Sequence, residues 1–301
     1  MIEFWNELLA RVQWIRELYA TSRITLPLGQ GLADSLNEAE ACARGDKRRS
    51  GTEDDVSVSI RSCHVAWSLY DSLSGCVDAG LDVRPYLANI ATGSTEYGVP
   101  SDPANFHDIF FKDFEAELFV AASLARAGLP VSFIDPRNDP RGEMKVGDIF
   151  IEVKHPNSRN AQERLMRKFN SALRKDRLLG VFVCALEDAF QIAPRSSTPH
   201  ELGTWQEAKD KEIEAIGLRS VMRAASLSQI AVLAQTSSYV EIVGDSTRFV
   251  RKGNALIFDQ RSYDLGILTS LERIATAFNP DPPRYSQIKN ALPTSMSRSR
   301  E

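Results

Sequence analysis

Residues 142–154 read GEMKVGDIFIEVK, and the way this stretch folds decides how the rest of the chain is read. Gly147-Asp148 is a two-residue turn signal set between alternating apolar positions, with Val146 and Ile149 at its edges. A turn closed there pairs 146 with 149, 145 with 150, 144 with 151 and 143 with 152. Glu143 then faces Glu152 across the hairpin, and Lys154 shares their face two residues further on. Opposed side chains on a hairpin stand roughly 5 Å apart, and like charges at that spacing destabilise an ordinary sheet. A divalent cation between them reverses the sign, since Mg2+ is held by one or two carboxylates and keeps several waters for a substrate. The lysine adds positive charge where a scissile phosphate needs it. Ile149, Ile151 and Val153 form the opposite, core-facing side. The plain alternative is an exposed hairpin decorated with solvated charges.

Upstream, residues 106–128 read FHDIFFKDFEAELFVAASLARAG. Phe110, Phe114, Leu118, Ala121, Ala122, Leu124 and Ala125 repeat at helical spacing, and Gly128 ends the pattern. Glu117 lies beside this apolar stripe, so its carboxylate either edges the stripe or points into a site. A short apolar run, VSFID, follows Pro130, and a loop rich in Pro, Asn, Asp and Arg leads into the hairpin.

This ordered set resembles the PD-(D/E)XK nuclease superfamily, the restriction-endonuclease-like fold, and in particular its Holliday-junction-resolvase and Mrr-like branches. The matching residues are Glu117 on its helix, an acidic residue on the second strand, and Glu152-Val153-Lys154 as the E-x-K element. The resemblance covers about residues 106–186. It implies an α/β fold with a core of helix, three strands, helix and strand, its mixed sheet flanked by helices, here preceded by an N-terminal helical region. One position departs from the family pattern, because Glu143, Asp148 and Asp139 compete for the place the superfamily usually gives to Asp. In a straight strand Asp148 stands roughly 13 Å from Glu152, too far for one small cation. Asp139 would place Pro140 and Gly142 in the strand that follows, where both are disfavoured. Geometry favours Glu143, with Asp148 as the turn residue and the alternative ligand.

Residues 159–178 put Ala161, Leu165, Phe169, Ala172 and Leu173 on one helical face and Arg164, Arg167, Lys168 and Lys175 on another. Seven basic residues against two acidic ones from 159 to 177 suit a phosphate backbone, although a solvated helix face has the same composition. GVFVCAL, 180–186, reads as a buried strand and completes the order the resemblance implies. The resemblance offers Gln162, eight residues after Lys154, as a substrate contact of the kind some branches have, but a surface glutamine is the expected reading.

Composition is that of an ordinary globular chain of 301 residues, with 25% charged and 43% hydrophobic residues. The net charge of −4 argues against wholesale non-specific DNA binding. It leaves room for a local basic patch, because residues 1–100 carry nine basic and fourteen acidic side chains and the remainder is near neutral. Cys42, Cys63, Cys76 and Cys184 have no C-x-x-C spacing and suggest neither zinc nor disulfides. The opening segment, FWNELLARVQWIRELY, is amphipathic with Glu and Arg. It therefore reads as neither signal peptide nor membrane span, and a reduced, cytoplasmic setting is expected.

The organisation expected is a helical region over 1–100, a nuclease-like domain over 101–280 with a C-terminal sheet extension, and a partly disordered tail over 281–301. In the helical region, Phe4, Leu8, Val12, Ile15 and Leu18 or Tyr19 keep helical period. A second helix follows Glu53-Asp54-Asp55 with Val56, Ile60, Cys63, Trp67 and Tyr70 on one side, and His64 within it reads as a structural histidine. Helices are expected near 205–216 and on to about 227. Strand candidates QIAVLA, YVEIV, TRFV and ALIF then extend the sheet before a closing helix at 265–278. Asp188, Asp245 and Asp259 read as turn residues.

The resemblance implies a metal-dependent endonuclease that hydrolyses phosphodiester bonds with water activated by Mg2+ or Mn2+, acting on DNA ahead of RNA. Defence against foreign DNA, recombination or repair is the setting by analogy. Glu143 and Glu152 are the expected metal ligands, Glu117 a ligand or outer-shell orienter, and Lys154 the stabiliser of developing charge. Arg164, Arg167, Lys168 and Lys175 are the expected nucleic-acid contacts. Many members act as dimers so that both strands are cut, which makes a homodimer, or a partner held through residues 1–100, the expected assembly. The missing Asp also fits a catalytically inactive subunit of this fold that binds nucleic acid or protein. A third reading is a helical interaction protein with a coincidental E-x-K, which places Glu117 on a different surface from Lys154.

Overall fold

The computed structural model describes residues 2–29, 31–46, 53–95, 110–135, 139, 141–156, 159–185, 227–243, 246–258 and 263–278. The fold is α/β. In chain order the elements are α1 (Ile2–Thr21), α2 (Gly31–Arg44), α3 (Glu53–Asp78), α4 (Arg84–Thr92), α5 (Phe110–Arg126), β1 (Val131–Phe133), β2 (Met144–Val146) and β3 (Ile149–Lys154). There follow α6 (Arg159–Arg174), β4 (Leu179–Ala185), β5 (Ile230–Val243), β6 (Ser246–Ile257) and α7 (Leu265–Phe278). The helix, three strands, helix and strand expected from 106 to 186 are α5, β1, β2, β3, α6 and β4.

The six strands form one mixed sheet in sequence order. β1 to β3 are antiparallel neighbours, β3, β4 and β5 run parallel, and β6 returns antiparallel on β5. The hairpin register is the one read from the turn, with Met144 opposite Ile151, Lys145 opposite Phe150 and Val146 opposite Ile149. The four short strand candidates near the C-terminus are two long strands instead. A fourteen-residue β5 and a twelve-residue β6 pair from Val232–Ile257 to Val243–Ser246, so cross-strand pairing runs through the polar residues that had separated the candidates.

Alternation along β3 divides the interior into two layers. Ile149, Ile151 and Val153 join Val181, Val183, Val232 and Ala234 against a helical layer made by α1 to α5 and α7. Phe150, which the sequence left without a role, is buried on the other side with Phe182 and Leu233 under Met166, Phe169 and Leu173 of α6. A shift in register between Gly180 and Val181 lets Ile230 and Leu233 both reach this second layer.

The first layer is continuous from Leu8, Val12, Ile15 and Tyr19 of α1 through to Ile274 and Phe278 of α7. α2 and α4, not singled out in the sequence, help to close it. α5 departs from its expected single stripe. It lies between the other helices and the sheet, so Phe111, Ala116, Leu118, Val120, Ala121, Ala122 and Leu124 are buried together with Lys112, Glu115 and Glu117. Glu115 accepts hydrogen bonds from Ser68 Oγ at 2.8 Å and Ser72 Oγ at 3.3 Å, which ties α3 to α5. α3 is likewise rotated from expectation. Val65, Ala66, Leu69, Leu73 and Cys76 are buried with Cys63, whereas Ile60, Trp67 and Tyr70 are half-buried. His64 is buried within this helix.

α4 matters for the site because it is pinned at its middle and just past its C-terminal end. The Tyr19 hydroxyl donates to the Leu87 carbonyl at 2.9 Å, and Gly93 lies directly on the start of α5. A Cβ at Gly93 would stand 2.2 Å from the Phe111 backbone nitrogen. The helices expected near 205–227, the loop with Asp188, the turn residues Asp245 and Asp259 and the tail over 281–301 lie outside the described residues. Among those described, no helix is long and apolar enough to cross a membrane. Gly93→Ala is expected to destabilise the protein by about 1–3 kcal/mol through overpacking against backbone. Urea titration followed by circular dichroism checks this, and an unchanged midpoint would contradict the α4–α5 contact.

Candidate functional site

At its open end the hairpin stops being an ordinary ladder. The last paired residues are Met144 and Ile151, and the Glu143 N–H donates to the Ile151 carbonyl at 3.0 Å. Gly142, at φ +146°, makes this turn-in, and a Cβ there would stand 2.8 Å from the same carbonyl oxygen. Glu143 is also held from its other side, where its carbonyl accepts the Ile134 N–H at 2.9 Å. With the strand ended, the carboxylate of Glu143 takes the place of the next strand partner. It accepts the Val153 N–H at 2.9 Å through Oε2 and the Lys154 ammonium through Oε1. Lys154 Nζ lies 3.1 Å from Glu152 Oε1, so one ammonium sits between two carboxylates.

Glu117 approaches these charges from α5. It is 7% exposed, and burial pushes its carboxyl well above the usual range. The negative charge of Glu143 adds to that push, Lys154 opposes it, and Asp113 and Glu152 contribute smaller upward pushes. Burial likewise raises Glu143 from 4.5 to about 8, although Lys154 and the Val153 N–H both favour its charged form. For Lys154 the balance is the reverse. Burial pulls its ammonium down, but the neighbouring carboxylates of Glu143, Glu152 and Glu117 outweigh it and keep the group charged.

Of the residues read from the sequence as a site, Glu143, Glu152 and Lys154 are thus brought into contact, and Glu117 lies within reach of their charges. Asp148 is exposed in the turn at the opposite end of β3, and Asp139 faces Arg141, which contacts it twice at 2.7 Å and reaches Asp176 at 3.0 Å. Arg164, Arg167 and Lys168 are exposed on α6, on one stripe that also carries Arg174, and Lys175 is exposed in the turn just past the helix end. Arg167 pairs with Glu163 at 2.6 Å. Gln162, expected on the surface, is 4% exposed on the sheet-facing side of α6, one turn before Met166.

Two features were not found in the sequence. Tyr86 of α4 is buried close enough to the site that, after burial itself, the charges of Glu117 and Glu143 push its phenol further up. Its only local signal is the helix-starting RPYL, which says nothing of what the ring will meet. Gln235 of β5 is buried on the α6 side, level with Cys184 and Lys154 across the parallel strands.

Among the described residues, no three His, Cys, Asp or Glu side chains stand ready-made as a metal site. The chemistry of the converging groups nevertheless fits a hard divalent cation, since the donors are carboxylate oxygens with no thiol or imidazole among them. Compared with known proteins, the chain matches no family model, no curated protein and no solved structure.

The burial of Glu143 has a measurable consequence. Its folded-state value of about 8 exceeds its ordinary 4.5, so the folded chain holds the proton more tightly than the unfolded one. Its contribution is intact below about 4.5 and is lost as pH rises through about 8. Glu143→Gln is expected to remove that loss, gaining up to roughly 4 kcal/mol on wild type between pH 5 and pH 8.5 without divalent ions. Thermal melts across that range check it, and parallel curves for the two proteins would contradict the assignment.

Proposed function

We propose that this chain is a metal-dependent nuclease with a restriction-endonuclease-like core, acting on phosphodiester bonds of DNA in preference to RNA. The observation that carries this reading is Lys154 bridging Glu143 and Glu152 at the open end of the hairpin, with the buried Glu117 of α5 within reach of their charges. The order of α5, β1 to β3, α6 and β4 around them supports it. Glu143 and Glu152 would hold Mg2+ or Mn2+, with Glu117 as a ligand or as the group that orients one. The ion, when bound, would activate water for attack and offset charge on the phosphoryl oxygens.

The chain's own groups do the rest. Lys154 keeps a full positive charge at the place where a phosphoryl oxygen gains negative charge. Enclosure by α5 and the hairpin limits water, which strengthens each electrostatic contact. α6 begins within five residues of Lys154, so its exposed stripe of Arg164, Arg167, Lys168 and Arg174, continued by Lys175 past its end, leads away from the site and gives a phosphate backbone a path. Action in defence against foreign DNA, recombination or repair, in a cytoplasmic setting and as a dimer or with a partner, belongs to the same proposal.

A second reading has one observation in its favour. Lys154 already neutralises Glu143 and Glu152, an arrangement that also suits a catalytically inactive subunit binding nucleic acid or protein. Cleavage of supercoiled plasmid, linear duplex and branched DNA separates the two. The nuclease reading expects cutting with Mg2+, none with EDTA, and a loss of about 100-fold or more in Lys154→Ala. Cutting that ignores EDTA or the substitution would overturn it, and metal-independent binding without cutting would favour the inactive subunit. Replacing Arg164 and Lys168 with Ala is expected to weaken DNA binding and to lower the slope of log affinity against log salt by about 2. Fluorescence anisotropy over a salt series measures this, and an unchanged slope would remove α6 from the interface.

A further inference from the structure

Tyr86 is 8% exposed, and its ring sits between α5, which carries Glu117, and β1, which pairs with the strand that follows Glu143. On one side it meets Phe114 of α5 edge-on, with centroids 5.5 Å apart, three residues before Glu117. On the other it meets Phe133 of β1 at 4.6 Å, and Phe133 is the cross-strand partner of Met144, the residue after Glu143. The ring is thus held beside the elements that carry Glu117 and lead to Glu143, and the charges of both act on its phenol. Among the described residues its hydroxyl has no hydrogen-bond partner, and it is not one of the polar atoms closed off from solvent, so it is open to a ligand. Burial and the two carboxylates keep it protonated, so it is a neutral donor at any working pH.

Resting on the nuclease reading, we propose that Tyr86 is a substrate-binding residue of this site, donating its O–H to a phosphoryl oxygen that enters between Glu117 and Glu143. A neutral donor suits this position, because it binds the anion without competing with Lys154 for the carboxylates. The proposal also makes the N-terminal helices part of the site. α4 carries the phenol and is itself held by the hydrogen bond from Tyr19 and by the Gly93–Phe111 contact.

Tyr86→Phe keeps both ring contacts and removes only the donor. The probe is thymidine 5′-phosphate binding in the presence of Ca2+, measured by calorimetry, alongside Ca2+ binding alone and single-turnover DNA cleavage with Mg2+. The expected result is an unchanged melting temperature, unchanged Ca2+ binding, and nucleotide binding weakened about 10- to 100-fold, as for one hydrogen bond to a charged acceptor. Wild-type affinity for the nucleotide in the variant would overturn the proposal. So would an equal loss of Ca2+ affinity, which would mean that Tyr86 acts through the carboxylates, and so would failure of the wild type to bind the nucleotide. If the wild type binds the nucleotide but cleaves no DNA, and the variant binds it more weakly, the nuclease reading fails and the phosphate contact stands.

Discussion

The site depends on the carboxylate of Glu143 standing in for a missing strand. β2 gives out after Met144, which leaves the Val153 N–H on the next strand without a backbone partner, and a buried N–H cannot go unpaired at small cost. Glu143 satisfies it with one oxygen and brings its charge into the interior with the other. That charge needs compensation, and Lys154, one residue along, provides it while also engaging Glu152. A backbone requirement at the end of a short strand is therefore what gathers the charged groups. Glu117 comes within reach of their charges because α5 packs between the other helices and the sheet.

Such a cluster is unfavourable in isolation. Two carboxylates, Glu143 and Glu152, share one ammonium with a third, Glu117, near enough to feel it, and burial raises the proton affinity of Glu143 and Glu117. Proteins tolerate this mainly where charge is used, and a strongly shifted carboxyl in an enclosed site is a signature of chemistry more often than of stability. An added divalent cation would relieve the repulsion that burial has created. The helical layer sustains the arrangement from outside, since α3 grips α5 through Glu115 and α4 presses Tyr86 onto Phe114 and Phe133.

The hairpin and its charges were legible because both depend on local rules. Gly147-Asp148 fixes the register, period-two alternation fixes the faces, and Glu143, Glu152 and Lys154 follow. Glu117 was legible only as a carboxylate beside an apolar stripe, and its contact with the hairpin is tertiary. What the sequence hid is what depends on packing between distant elements. α5 and α3 are covered on more sides than one, so a single-stripe reading misplaces Ile60, Trp67 and Tyr70 and misses Glu115. β5 and β6 run through Ser, Gly and Asn positions because each pairs with the other, which no propensity reveals. Tyr86 lies 31 residues before Glu117, and nothing in RPYL announces its neighbours.

In the proposed nuclease, Glu143, Glu152 and Glu117 would bound one cation site, with Lys154 as its guard. Crystals grown with Mn2+ and measured at the manganese edge test it most directly. The account predicts an anomalous peak bounded by Glu143, Glu152 and Glu117, with the Lys154 ammonium moved aside from Glu143. A peak elsewhere, or none while Lys154 still bridges Glu143 and Glu152, would contradict it.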